Sequence, residues 1–442
     1  MKNAKGRPPA EDERFYRLDN SAVFTASIAS RATPLVFRLE CVLEEPIYLS
    51  AMQAALDALV PRFPVLFVEL RRGVFWHYLE PISRPRIEAE GPSPAAPLPY
   101  RRGRHLCRVI AYGPKLALEF HHAVTDGTGA FALMKAMVAE YLALMNQEPR
   151  PDLGRLDLAA PGEDARPGEE EDAYARYFSQ GSVMPARPRR AYMPPGERSR
   201  DGYRVILARM PSDELLQAAK RLRVSATEFL AACYLDALQE IYAADPGRRT
   251  TLSVRVPVNL RRMYPSETVR NFFLCVDVGI DLRLGRWGFE EIASHVHHVM
   301  RLGLEEKEIA KMIRRNVGGE RNVLARPMVL PLKTVLLRLI NANIGRISAS
   351  GSLSNLGALE IPEPWGRYAL DFNVTLPRDW ITGLNIAVSS WRGRTTLCLA
   401  SVIKNRELER ALCGRLRAAG ITLTLSSNEP YPDEGDDEGG LR

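Results

Sequence analysis

Two adjacent histidines are the residues of this chain best suited to do chemistry. Asp126 and Gly127 follow His121 and His122, so the segment has the pattern HHxxxDG. The chain has only seven histidines, and two of them stand here. An imidazole titrates near neutral pH and is the natural general base for taking a proton from an alcohol, amine or thiol. The pattern therefore indicates an active site.

Strand geometry separates the roles of the two histidines. The preceding residues 116–120 read as an apolar strand, in which successive side chains point to opposite faces. His122 then shares a face with Phe120, and His121 shares the other with Glu119. We expect His122, the residue next to the loop, to be the base. Side chains on opposite faces cannot converge on one ion, so no metal site is expected.

The loop after the histidines is expected to hold His122 in place. Gly127 and Gly129 would allow a sharp reversal of the chain, since glycine tolerates a positive φ. Asp126 could fix the loop either by accepting backbone N–H bonds or by pairing with an arginine. An amphipathic helix from Ala130 to Met145 follows and is read as core packing.

Composition limits the class of protein. The chain has 442 residues, 46% hydrophobic and 26% charged, which is typical of a globular protein of two domains. It has no run of about 20 uncharged apolar residues, and its polar N-terminus does not resemble a signal peptide. The six cysteines are scattered without a CxxC pair, which favours free thiols in the cytoplasm. No nucleic-acid partner is expected.

The pattern of strands and helices predicts an α/β protein in two halves, each a mixed β-sheet flanked by helices. Residues 287–313 read as one helix, and residues 252–258 and 272–282 as strands. Proline, glycine and alternating charge runs mark a linker between the halves. The predicted boundaries are a disordered N-terminus 1–13, a first half 14–155 with the HHxxxDG segment, a linker 156–200, a second half 201–424 and a disordered acidic tail 425–442.

HHxxxDG resembles the signature of the acyl-CoA-dependent acyltransferase superfamily with the chloramphenicol acetyltransferase-like fold. That superfamily includes peptide-synthetase condensation domains, plant BAHD acyltransferases and polyketide-associated acyltransferases, and this chain looks most like bacterial alcohol acetyltransferases. The likeness covers roughly residues 14–424. Further stretches that support it are Tyr16–Asn20, Pro61–Pro64, Arg71–Trp76, Pro257–Arg261 with Asn271–Phe272, and Leu353–Gly357.

The resemblance implies two pseudo-symmetric domains with an active-site tunnel at their interface. An acyl group, expected to be acetyl, would move from acyl-CoA as co-substrate to a hydroxyl of a small-molecule acceptor. His122 would be the general base, and His121 and Gly127 would complete the motif. Asp126 would be structural and pair with Arg261.

Two residues are less firmly placed by the resemblance. Arg262 is the register-shifted alternative to Arg261 as the partner of Asp126. Asn355, in Ser-Asn-Leu-Gly, would approach the base from the second half and donate to the tetrahedral oxyanion, worth about 3 kcal/mol. It could equally be a turn residue at a strand end.

Two other functions remain open at this point. One is a condensation-type enzyme that uses a carrier-protein-bound thioester to form an amide or ester. The other is a catalytically inactive binding protein of the same fold. The chain has no Gly-Gly-x-Ser carrier site, and the intact motif argues against loss of activity. These observations favour a diffusible acyl-CoA.

Residues 301–350 hold ten Lys or Arg against four Glu, beside the apolar run Pro327–Ile344. Core packing ranks first as the explanation, contact with the CoA phosphates second and peripheral membrane contact third.

Overall fold

Three β-sheets with helices packed on them form the described part of the protein. The computed structural model describes residues 15–145, 148, 166–181, 189–199, 202–321, 327–342 and 348–429. The architecture is the α/β class that the sequence predicts, with mixed sheets flanked by helices. Two large apolar clusters form the core, one centred on each half of the chain.

The first half supplies short strands and mostly buried helices. Its strands are β1 Tyr16–Arg17, β2 Val36–Leu43, β3 Val68–Arg72, β4 His77–Pro81, β5 Ile87–Glu88, β6 Cys107–Tyr112 and β7 Lys115–His121. Its helices are α1 Asn20–Ile28, α2 Leu49–Leu59, α3 Gly127–Leu144 and, in the segment predicted as a linker, α4 Ala173–Arg176.

The second half has longer strands. They are β8 Arg204–Pro211, β9 Thr251–Asn259, β10 Phe273–Asp281, β11 Gly351–Ala358, β12 Ala369–Thr375, β13 Leu384–Trp391, β14 Arg394–Ser401 and β15 Thr424–Ser427. Its helices are α5 Ser212–Arg221, α6 Ala226–Ala244, α7 Phe289–Gly303, α8 Glu306–Arg321, α9 Leu330–Ile340 and α10 Glu407–Ala418. A capping box between Ser225 and Glu228 starts α6, the central helix of the second core.

The sheets interlock the two halves. The first sheet has the order β12-β2-β7-β6-β5, and the second has the order β10-β9-β11-β13-β14-β8-β15. Strand β12 comes from the second half of the sequence but pairs antiparallel with β2 over residues 369–375. The sequence prediction assigned it to the second half. Pairing across the halves fixes the position of one sheet relative to the other.

The second sheet opens towards the first half. Strands β9 and β11 are paired only at Gly351 and Ser352, whereas β11 continues along β13 as far as Ala358. The ends of β9 and β11 therefore diverge. Both reach the first turn of α3, because Asn259 donates to the Thr128 hydroxyl and Leu356 lies next to Gly127.

Three sequence predictions need correction or qualification. The predicted helix 287–313 is two helices, α7 and α8, since the chain turns at residues 304–305. Residues 425–427 are not disordered tail, because they pair with β8 as part of β15. The predicted N-terminus 1–13, residues 430–442 of the tail, and residues 156–165, 182–188 and 200 of the linker lie outside the described residues.

The segment predicted as a linker packs into both halves where it is described. Glu169 is buried and forms an ion pair with the fully buried Arg62 of the first half. Its backbone carbonyl accepts from the N–H of Val269 in the second half, at 2.9 Å. The linker segment is thus attached to the first half by a buried ion pair and to the second half by a backbone hydrogen bond, and separating the halves would break one of them.

In the described part of the chain, no helix combines the length and the apolar composition needed to cross a bilayer.

Candidate active site

His121 faces into the first half. Its ring is buried and stands edge-on to Tyr100, whose hydroxyl is hydrogen-bonded to Nε2. Nδ1 accepts the backbone N–H of Ala123 at 3.0 Å. Burial lowers the pKa of His121 to about 3, and the neighbouring His122 acts in the same direction. Both ring nitrogens are therefore occupied by protein groups and the ring is neutral at pH 7.

His122 faces the seam between the halves. Its ring lies between Phe37 of the first half and Phe273 of the second, with ring centres 4.8 Å and 5.6 Å away. Nδ1 is buried and makes no hydrogen bond of normal geometry with the described residues. Burial lowers the pKa of His122, while Asp126, the Asn271 side chain and the Thr125 backbone oppose that shift. The ring is held neutral between aromatic walls.

Asp126 ties the loop to both its own helix and the second half. One carboxylate oxygen caps α3, accepting the N–H groups of Thr128 and Gly129 at 3.1 and 3.2 Å. The other accepts from Arg261 at 2.8 Å and from the backbone N–H of Phe272 at 2.9 Å. The sequence analysis leaves open whether Asp126 accepts backbone N–H bonds or pairs with an arginine, and the carboxylate does both.

Arg261, not Arg262, is the partner of Asp126. Its guanidinium also donates to the backbone carbonyls of Thr268 and Arg270, at 3.0 and 2.5 Å. Arg262 is exposed. The short 3₁₀ turn after β9, residues 260–262, sets this register, because the Asn259 side chain accepts the N–H of Arg261. The arginine thus joins the ends of two second-half segments to the first-half loop.

Two further hydrogen bonds cross the seam beside His122. The Thr125 hydroxyl donates to the Val269 carbonyl at 2.5 Å. The Asn271 amide donates to the backbone carbonyl of His122 at 2.9 Å, and its side-chain oxygen is buried. Behind Asn271 lies the fully buried Asp19, whose pKa burial raises to about 6. The backbone of the candidate base is therefore positioned directly by a second-half residue.

Gly127 of the motif and the nearby Gly129 do not make the predicted reversal of the chain. Gly127 and Gly129 are the first residues of α3 and do not have positive φ. A Cβ on Gly129 would lie 1.9 Å from the Val269 carbonyl oxygen and 2.2 Å from the Thr125 hydroxyl. At Gly129 the requirement is the close approach of backbone across the seam, not a reversed turn.

Asn355 is hydrogen-bonded within its own half. Its amide donates to the Thr227 hydroxyl at 2.9 Å, and its side-chain oxygen accepts the N–H of Gly357 at 2.8 Å. Gly357 has a positive φ of 78°, as expected at an irregularity of a strand. Its neighbour Leu356 contacts the HHxxxDG loop at Gly127. A role for Asn355 at the oxyanion stays a prediction.

Three buried polar residues near the site carry no predicted role. Asn271 and Arg62 lie in stretches that carry the resemblance, and Glu169 lies in the predicted linker. Asn271 and Arg62 have partners 149 and 107 residues away in sequence. The polar Asn271 directly before the apolar run Phe272–Val276 is the signal in the sequence.

Other reactive groups are poorly placed for chemistry. Cys275 is the one cysteine that is not fully buried, and burial raises its pKa to about 11. A thiol with that pKa is a weak nucleophile at neutral pH. Among the described residues, no three His, Cys, Asp or Glu side chains cluster as metal ligands do.

Comparison of the sequence with known proteins gives a match over part of the chain. No protein-family model matches the chain. An uncharacterised protein of Mycobacterium tuberculosis, called Rv2305 in strain H37Rv and MT2362 in strain CDC 1551, is 28% identical over 265 residues. The match covers 57% of this chain and 58% of that protein, so the chain matches a little over half of its length.

Solved structures match over nearly the whole chain. Polyketide synthase associated protein 5 from Mycobacterium tuberculosis has a TM-score of 0.56 at 14% identity, covering 93% of this chain and 98% of that one. The TRI3 trichothecene 15-O-acetyltransferase from Fusarium sporotrichioides has 0.59 at 11%, covering 92% and 95%. The first condensation domain of the CDA synthetase has 0.56 at 16%, covering 94% and 100%. The chain has the fold of these three proteins.

Proposed function

We propose that the protein is an O-acyltransferase. It would move an acyl group, acetyl in the simplest case, from a CoA thioester to a hydroxyl of a small-molecule acceptor. The observation that carries the proposal is the His122 ring, held neutral between Phe37 and Phe273 at the seam. The TRI3 structure with the same fold is an O-acetyltransferase by name, which supports the class of reaction.

In the proposed reaction His122 takes the proton of the acceptor hydroxyl as its oxygen attacks the thioester carbonyl. A tetrahedral intermediate forms and collapses, the carbon–sulfur bond breaks, and the thiolate takes the proton back from the imidazolium. A positioned base of this kind typically accelerates a reaction by ~10²–10⁴-fold. The pKa of His122 lies below its usual value, so the ring is in the accepting form at pH 7.

Substrates are proposed to reach His122 through the divergence of β9 and β11. The two strands part after Ser352, and their ends flank the loop at Thr128 and Gly127. A sheet that opens in this way offers a path between the halves without breaking the core on either side. The predicted tunnel would use that path.

A carrier-bound thioester is the second candidate donor. The condensation domain of the CDA synthetase matches this chain over its full length. A carrier donor and a CoA donor share the pantetheine arm and the thioester, so the chemistry at His122 would be the same. The donors differ outside the tunnel, where CoA offers a nucleotide and a carrier offers a protein surface.

The test offers the purified protein acetyl-CoA and longer acyl-CoA thioesters together with a panel of alcohols and sugars. Mass spectrometry would follow the ester, and a thiol reagent would follow free CoA. Ester and thiol in equal amounts, absent with His122→Ala, support the proposal. Product formed from an acyl group on a carrier protein, but not from acyl-CoA, would favour a condensation-type enzyme. No product with either donor, where the substrates bind, would contradict both.

A further inference from the structure

Helix α9 carries aliphatic side chains on its solvent side. Val329 just before the helix, and Leu332, Val335, Leu336, Leu339 and Ile340 within it, are each between 42% and 56% exposed. The sequence favoured core packing for this apolar run, and that interpretation is wrong for these residues. Scattered exposed leucines are normal, but a contiguous set on one short helix marks an interaction surface.

The helix is firmly attached on its other side. Lys333 is buried, donates to the Phe75 carbonyl at 3.1 Å and lies 3.4 Å from the centre of the Trp76 ring. Burial lowers its pKa. Arg338, towards the other end, donates to the Ser27 carbonyl at 3.0 Å. Lys333 on the buried side and the exposed Arg338 at the edge of the helix hold α9 so that its aliphatic side chains face outward.

The hairpin between β3 and β4 extends the apolar surface. The N–H of Leu330 donates to the Val74 carbonyl at 2.9 Å, which joins the start of α9 to the hairpin tip. Val74 and Phe75 at that tip are 68% and 45% exposed. The docking face is hereafter the exposed residues of α9 together with Val74 and Phe75.

The chain segments that form and adjoin the docking face carry only basic charges. The three segments are residues 327–342, which include α9, and the two that it contacts, residues 72–79 through Lys333 and residues 20–35 through Arg338. They contain Arg31, Arg72, Lys333 and Arg338 and no aspartate or glutamate. Arg31, Arg72 and Arg338 are exposed. An apolar face with a basic rim is complementary to a surface that is apolar inside and anionic at its edge.

We propose that the docking face binds the surface of an anionic lipid bilayer. Helix α9 has eleven residues, about 16 Å at 1.5 Å per residue, and is too short to span a hydrocarbon core of about 30 Å. It would lie in the plane of the interface, its leucines in the acyl region and the three arginines among lipid phosphates. The inference rests on the surface alone and is independent of the proposed function.

The experiment is co-sedimentation of the full chain with vesicles at low salt. Vesicles of phosphatidylcholine with phosphatidylglycerol are compared with phosphatidylcholine alone. We expect binding to the anionic vesicles, weakened by salt. Leu332→Glu with Leu339→Glu should weaken partitioning at least about tenfold. Arg31→Gln with Arg72→Gln should weaken it roughly fivefold for each charge.

Matched controls carry the same kinds of change on elements outside the docking face, in α5, in α10 and in the turn after β10. Leu216→Glu with Leu284→Glu alters two leucines at least as exposed as the test pair, and Lys220→Gln with Arg410→Gln removes two exposed charges. Both should bind as the wild type does. A dye on Leu336→Cys should brighten with anionic vesicles, and one on Leu216→Cys should not. The fluorescence of these dyes reports contact with the bilayer without a substitution that would destabilise the fold.

Three results would overturn the inference. Wild-type protein that stays in the supernatant with anionic vesicles at low salt would exclude a lipid surface. Equal vesicle binding by wild type and by Leu332→Glu with Leu339→Glu would place contact elsewhere. A wild-type dimer in sedimentation velocity that this variant converts to monomer, with no vesicle binding by either, would show that a second copy covers the face. Inorganic phosphate that displaces the protein from vesicles only at salt-like concentrations supports a surface over a single phosphate site.

Discussion

The two sides of the seam hold their candidate residues in different ways. The loop after β7 is fixed largely by the other half of the molecule, through Arg261 and Phe272 on Asp126 and Asn271 on the His122 carbonyl. Across the seam, Asn355 on β11 makes its hydrogen bonds inside its own half. His122 is thus fully positioned only when the second half adds its contacts to those of the first, whereas Asn355 keeps its orientation through contacts within its own half.

The position of His122 therefore depends on the assembly of the halves, and that of Asn355 does not. Changes in the seam should disturb the base and the assembly of the halves together, because the same atoms serve both. Changes at Asn355 should stay local. Chemistry at His122 would then be coupled to global stability, and each variant below either strengthens or breaks that contrast.

Replacing His122 by Ala should have the largest effect on activity. Acyl transfer should fall by ~10²–10⁴-fold, because the general base is lost, while the fold is kept. His121→Ala is the matched control and should reduce kcat much less, since that ring faces Tyr100 and not the seam. Product assays and circular dichroism check both variants. Equal loss of activity in the two, with native spectra, would contradict the assignment of the base.

Asp126→Ala should reduce both activity and stability. It leaves the Arg261 guanidinium buried without its carboxylate, a change that often costs ~3–5 kcal/mol, and removes the cap of α3. Urea unfolding should show the loss, and the Arg261→Ala variant should resemble it. Arg262→Ala, at the adjacent exposed position, should behave as wild type.

A double-mutant cycle tests whether the stability losses of Asp126→Ala and Arg261→Ala both come from breaking their ion pair. The combined Asp126→Ala, Arg261→Ala variant should be more stable than the sum of the single losses predicts, because no charge is left unpaired. Simple additivity would mean that the pair contributes no coupling, and the claim that the opposite half fixes the loop would lose its main support.

Much of the first-half site follows from sequence because it is local. The strand, the two histidines and the cap at Asp126 lie within fifteen residues, where strand periodicity and helix-cap chemistry predict structure well. What sequence missed is long-range. The need for Gly129 arises from the Val269 carbonyl, and strand β12 joins the first sheet although it follows β11 in the chain. No local pattern encodes such contacts.

The burial of helix α9 is also set by long-range contacts that the sequence does not show. The composition of the helix alone is typical of a core helix, and core packing is what that composition predicts first. Only the position of Lys333, buried against Trp76, shows that the apolar side faces outward. The sequence shows that Lys333 lies within an apolar run. It does not show that the Phe75 carbonyl, at the tip of the β3–β4 hairpin, binds this lysine and so fixes which side of the helix is buried.

The buried side of β7 predicts a pH dependence of stability. The pKa of His121 is about 3 in the folded protein and about 6.5 unfolded, so the unfolded chain binds more protons between these values. Stability should therefore fall as pH drops from 6.5 towards 3, by up to about 1.4 kcal/mol per pH unit from this group. Urea titrations at pH 7 and pH 5 should show a loss smaller by about 2 kcal/mol in His121→Asn. The same loss in both proteins would show that His121 titrates alike folded and unfolded.

The smallest effect on activity is expected from Asn355→Ala. Its amide and carbonyl are engaged with Thr227 and Gly357, so the variant should lose about 1 kcal/mol of stability per hydrogen bond and less than about tenfold in kcat. Thr227→Ala, which removes one partner and leaves the asparagine, is the matched control. Loss of an oxyanion donor would instead lower kcat by ~10²–10³-fold with KM little changed. That result in Asn355→Ala, with kcat near wild type in Thr227→Ala, would show that the amide turns towards the intermediate during catalysis. The contrast between a base held across the seam and an asparagine held locally would then apply only to the free protein.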